Sequence, residues 1–142
     1  MIKFIPTFIG ISENPTIIVG EKPGKTRNNS FQALQDNDVG DFINEAISGH
    51  KNIILTNVVN LLYKGPFDRN IGIADGVLDL ISLVEQFAPR KIITLGDYAK
   101  EYVSSIKTQC KIVSMPHPDW INKLPGNYKS DYIKKLNYEL NN

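Results

Sequence analysis

At 142 residues the chain has the length of a single domain, residues 1–142, with room for one sheet covered by helices on both faces. Apolar residues make up 42% and charged residues 22%, as in globular proteins, and a net charge of +1 excludes a grossly basic nucleic-acid coat but not a local basic loop. A lone cysteine, Cys110, excludes an internal disulfide and any all-cysteine metal or iron–sulfur cluster, so no cofactor of that kind is expected.

The apolar N-terminus is broken by Pro6 and turns polar from Ser12, which leaves no membrane span or secretory leader; the expected compartment is the cytoplasm. Lys3–Phe8 reads as a short extended piece that Pro6 confines to an edge or lead-in. Ile17–Val19 is a strand of apolar β-formers that runs into the loop GEKPGKT, where Gly20 and Gly24 flank Pro23 and leave the backbone open. Asn28-Asn29-Ser30 offers capping side chains before Phe31, Ala33 and Leu34, which read as a short helical turn. Val39, Phe42, Ile43, Ala46 and Ile47 have the spacing of an amphipathic helix that Gly49 stops.

Asn52–Leu55 is the next strand, ending in Thr56-Asn57, and Val58 to Phe67 reads as a loop broken by Gly65-Pro66. Val77, Leu80, Ile81, Val84 and Phe87 define the clearest helix, which Pro89 ends. Lys91–Leu95 is a strand closed by Gly96. Asp97 then caps a helix through Ala99, Tyr102, Val103 and Ile106. Lys111–Met115 is a strand ending at Pro116-His117-Pro118, and Tyr128, Tyr132, Leu136 and Leu140 recur every four residues on a last helix.

Alternation of strand and helix with short connections predicts a parallel sheet covered on both faces. In such a sheet the loops after the strands' carboxyl ends gather on one edge, the usual ligand crevice. Those loops hold Glu21 to Gly24, Thr56-Asn57, Gly96-Asp97 and His117 to Trp120.

Several chemistries are disfavoured. GEKPGKT has three residues, not four, between its first glycine and Gly-Lys-Thr, so it misses the phosphate-loop pattern. His50 and His117 belong to no paired metal-ligand motif, so no metal is expected. Cys110 precedes an apolar strand and reads as an edge or core residue. A nucleobase pocket fits better. Asn57 presents both an acceptor and a donor to a base edge, His117 can donate to a base oxygen that gains charge, and Phe31 supplies a stacking face. Each has a plain structural reading (turn former, loop histidine, core residue), but all three fall on loops of one rim.

The ordered set GEKPG, TNVVN and HPD resembles the uracil-DNA glycosylase superfamily, in particular its branch with GEAPG, TNVVK and HPS-type motifs. The stretches TNVVNLLYKGPFDRN and PRKIITLGDYAKEYV resemble that branch's middle section, and the likeness runs from about Ile17 to about Trp120. The resemblance implies a three-layer α/β/α sandwich with a central four-stranded parallel sheet. It also implies a water-activating loop from Glu21 to Gly24, with Gly20 and Gly24 beside the base. Phe31 would stack on that base, Asn57 would recognise it, and His117 would stabilise the departing base anion. After the histidine, Trp120 and Ile121 occupy the positions of a wedge that fills the space left by an extruded base. The chain departs from that branch at Lys22, where the branch has Ala and other members Asp or Asn, at Asp119, and in lacking the cluster cysteines. A charged lysine cannot orient water as aspartate does, but it can grip a phosphate. Glu21 is then the remaining candidate base.

Two functions follow as expectations. One is a monomeric DNA glycosylase that flips uracil or a modified pyrimidine out of DNA and uses Glu21 and His117 for catalysis. The other is an inactive relative that binds a free nucleotide, a modified base or a partner protein through Lys22, Lys25 and Arg27.

Overall fold

The computed structural model describes residues 2–3, 5–21, 43–59, 61–62 and 69–142. Its main sheet has five strands in the order β2-β4-β3-β6-β7, formed by Thr7–Ile9 (β2), Thr16–Gly20 (β3), Ile53–Asn57 (β4), Lys91–Leu95 (β6) and Lys111–Met115 (β7). A separate two-stranded ribbon joins Ile2–Lys3 (β1) to Leu61–Leu62 (β5). The helices are α1, whose described part is residues 43–47, then Arg69–Phe87 (α2), Asp97–Val103 (α3), Pro118–Asn122 (α4) and Gly126–Asn141 (α5).

Strands β4, β3, β6 and β7 are mutually parallel, and these are the four strands expected from the sequence. The difference is at the edge, where β2 pairs antiparallel with β4 and makes a fifth strand. Pro6, just before β2, is compatible with that position because an edge strand leaves one row of its backbone groups outside the ladder. Strand β4 also runs two residues further than expected, so Thr56 and Asn57 lie within the ladder rather than beyond it.

All five residues of β3, β4 and β6 are buried, as expected where a parallel sheet is covered on both faces. Alternate side chains serve opposite layers. Ile18, Ile53, Leu55, Ile93, Leu95 and Met115 pack with Ile43, Ala46 and Ile47 of α1 and with Tyr132, Leu136 and Leu140 of α5. Ile17, Val19, Ile54 and Ile92 pack instead with Ile73, Leu80 and Leu83 of α2 and with Ala99 and Val103 of α3. Tyr128, which shares the four-residue spacing, is 51% exposed and adds nothing to that core.

The topology locates the crevice. From β3 the chain crosses to β4 by way of α1, on one face. From β4 it returns over β3 to β6 by way of α2, and continues to β7 by way of α3, both on the opposite face. Right-handed crossovers travelling in opposite directions put their helices on opposite faces, as seen here. The connections leaving β3 and β6 therefore run in opposite directions, and the carboxyl ends of these neighbouring strands are where a sheet of this topology places its ligand crevice.

Three local expectations are corrected. The loop expected over Val58 to Phe67 contains β5, two residues whose partner β1 is formed by Ile2–Lys3 near the start of the sequence; no periodicity can announce so short a strand. Asp97 does not cap α3. Gly96 holds the cap position and Asp97 is the first helical residue. The stretch after His117 is a helical turn, α4, opened by Pro118, whose fixed φ suits the first helical position. The expected turn near Phe31 and the start of the helix from Val39 lie outside the described residues.

Candidate active site at the carboxyl edge of the sheet

The crevice is lined from the ends of four parallel strands. At the end of β3, Gly20 stands in register with Asn57 of β4. The ladder is prolonged by hydrogen bonds from the Val58 N–H to the Gly20 carbonyl (2.9 Å) and from the Val59 N–H to the Glu21 carbonyl (2.9 Å). These bonds fix the backbone of Glu21 at the mouth of β3 while its side chain stays half-buried. Asn57 is wholly buried. An amide with two donors and an acceptor at the buried end of a strand is suited to reading a polar edge presented from above.

On the other side of the crevice, β7 ends at Met115 and the chain turns through Pro116 to His117. The Gly96 N–H donates to the Met115 carbonyl at 2.8 Å, which ties the two loops together. Gly96 adopts φ 97° and ψ 168°, a conformation essentially restricted to glycine. A Cβ on Gly96 would come within 3.1 Å of the His117 Cβ and 3.3 Å of its Cδ2. The imidazole therefore rests on the end of β6, one strand nearer the centre than the strand it follows. Asn57 at the end of β4 and His117 above β6 are two strand spacings apart, roughly 10 Å.

His117 also borders an adjoining cleft of about 510 Å³, lined by Gly96, Asp97, Lys100, Ser114, Met115, Pro116 and Trp120. Lys100 lies one helical turn after Gly96, its N–H bonded to the Gly96 carbonyl at 3.1 Å, so α3 starts at the crevice. Among the described residues, no group of three histidine, cysteine, aspartate or glutamate side chains is placed to hold a metal ion.

Over residues 7–141 the chain matches the uracil DNA glycosylase superfamily. The chain belongs to that superfamily. A search of curated proteins found no match. Membership in this glycosylase superfamily points to DNA as substrate and to base removal as the activity at the level of the family.

The structure brings Gly20, Glu21, Asn57 and His117 of this glycosylase-superfamily chain to one edge, with Trp120 beside them. Gly24, Phe31, Lys22, Lys25 and Arg27 lie outside the described residues. One expectation needs correction. Ile121 is 5% exposed and packs in the core with Met115, Leu136 and Leu140, whereas Trp120 is 58% exposed. The helical turn of α4 is the reason, because adjacent residues of a helix point about 100° apart. Sequence reasoning also missed Lys100 as a cleft residue and Gly76 as a contact against the Val58 carbonyl, one residue after Asn57. For Gly76 there was a signal, a glycine within an otherwise strong helical pattern.

Proposed function

We propose that the chain hydrolyses the N-glycosidic bond of uracil or a modified pyrimidine flipped out of DNA into the crevice between β3 and β6. The observation that carries this reading is the pair Asn57 and His117 flanking that crevice, one wholly buried at the end of β4 and the other lodged on Gly96.

In this scheme the Asn57 amide pairs with the edge of the base. As the bond between the base nitrogen and C1′ breaks, the electron pair leaves with the base, and its charge spreads to a ring carbonyl oxygen. His117 donates a hydrogen bond to that oxygen, and exclusion of water strengthens the interaction. Glu21, anchored through its own carbonyl by Val59, orients the water that adds to C1′. Phe31 stacks on the base and Gly20 and Gly24 border it, while Lys22, Lys25 and Arg27 hold the flanking phosphates. Trp120, exposed on the rim, fills the gap left in the stack.

The test is base release from labelled single- and double-stranded oligonucleotides carrying uracil, hydroxymethyluracil or another modified pyrimidine. Alkali-labile sites that appear with the wild type and drop at least about 100-fold with Asn57→Ala or His117→Ala establish the reaction. No release by folded wild-type protein from any of these overturns it. Binding without release, abolished by Lys22→Ala with Lys25→Ala, would identify a non-catalytic binder instead.

A further inference from the structure

Three consecutive carbonyls carry His117 into the crevice, and each accepts a hydrogen bond from a different element. The Met115 carbonyl accepts from the Gly96 N–H at 2.8 Å, and the His117 carbonyl accepts from the Trp120 and Ile121 N–H groups at 3.1 and 3.4 Å. These are backbone bonds that a sheet end and a helical turn supply with almost any sequence. The Pro116 carbonyl is different. It lies past the end of β7 and before α4, and it accepts from the Tyr132 hydroxyl, 16 residues onward on α5, at 2.6 Å.

We propose that Tyr132 is a positioning residue that sets the direction of the His117 imidazole; this rests on the reading of His117 as the group that meets the departing base. The Tyr132 ring is 5% exposed and packs with Leu95, Met115, Leu136 and Leu140, so its hydroxyl is held by the core rather than by the loop it touches. Burial pushes the hydroxyl's ionisation well above the ordinary tyrosine range, which keeps it a donor at any physiological pH. A fixed donor on the Pro116 carbonyl holds the peptide plane before His117, and the bonds from α4 to the His117 carbonyl hold the plane after it, so together they set the direction of the His117 Cα–Cβ bond. Gly96 then gives the ring its seat. A short bond from a side chain held by the core is what a reacting group needs if a displacement of about 1 Å costs up to about 100-fold in rate.

The experiment is Tyr132→Phe, which keeps the ring and removes the donor, read in two ways. The first is base-release kinetics: kcat falls about 10- to 100-fold while KM stays within about twofold. In a His117→Ala background the same change has no further effect, because Tyr132 acts only through His117. The second uses the ring resonances of the chain's two histidines. His50 Nε2 lies 2.6 Å from Asn137 Oδ1 on the same helix α5, so its signals report whether that helix has moved. His117 signals shift or broaden in the variant while His50 signals stay. Unchanged His117 signals overturn the proposal. So do signals of both histidines moving together, or loss of the folded state by circular dichroism, since each makes the hydroxyl a stability element. Should the wild type release no base, the functional reading fails, and the histidine resonances still decide whether Tyr132 orients His117.

Discussion

Gly76, midway along α2, lies against the carbonyl oxygen of Val58, which occupies the space a Cβ at Gly76 would take. Val58 follows Asn57 directly, so the helix presses on the backbone that holds the amide in the crevice. In an exposed helix, Gly76→Ala would stabilise by about 1 kcal/mol. Here the Cβ meets backbone, which cannot rotate away, and overpacking costs about 1–3 kcal/mol or more. Net destabilisation is expected in urea unfolding, together with reduced base release as Val58 and Asn57 are displaced. Increased stability would show that the loop after β4 yields without cost.

Gly96→Ala meets a double obstacle. Its φ of 97° disfavours any side chain, and the new methyl would press on the His117 Cβ. The backbone strain alone is about 1–3 kcal/mol. Lower unfolding stability and impaired base release are expected together. A variant with full activity would show that His117 does not depend on this seat.

The exposed and buried members of the expected wedge separate cleanly. Trp120→Ala removes a 58% exposed side chain, so stability should hold within about 0.5 kcal/mol while affinity for DNA falls. Ile121→Ala opens a core cavity and should cost about 2–4 kcal/mol, read by urea unfolding, and weaken DNA binding only through unfolding. Equal stability losses would place both residues in the core.

At the opposite end of the sheet, Lys91 is buried and its ammonium donates to the Glu139 carboxylate at 2.9 Å and to the Glu139 carbonyl at 2.7 Å. Arg90 donates to the Leu140 carbonyl at 2.5 Å, so two cations hold the last turn of α5. The hydrogen bond from Lys91, aided by its charge and those of Lys111 and Lys135, lowers the Glu139 pKa below its ordinary 4.5 against the opposing effect of burial. A lowered carboxylate pKa contributes stability that is full above the unfolded value and lost as pH falls through the folded one. The stability gap between wild type and Glu139→Gln should therefore narrow as pH falls through and below 4.5 in urea titrations. Lys91→Met, which takes this donor from the Glu139 carboxylate and from the Glu139 carbonyl, should cost about 2–4 kcal/mol at neutral pH. A gap that widens in acid would contradict the ion pair.

The parallel sheet was legible because Ile17–Val19, Lys91–Leu95 and their neighbours are apolar runs bounded by turn residues, a local signal of burial on both faces. Asn57 and His117 were legible for a related reason. Polar residues at the ends of such strands fall on one edge of any sheet of this topology. The helical turn at α4 was missed because five residues carry no period, although Pro118 at its start suits a first helical position.

The chain's order of apolar and breaking residues thus determines the layers, the four parallel strands and the edge where the polar strand ends gather. Local pattern is enough for this, since burial and backbone preference act residue by residue. Tertiary packing alone decided that Ile121 turns inward while Trp120 stays on the rim, that the carbonyl of Val58 takes the space above Gly76, and that Tyr132 reaches Pro116. Each depends on the distance between elements remote in sequence, and that distance is set by how side chains of both layers fill the space between helix and sheet.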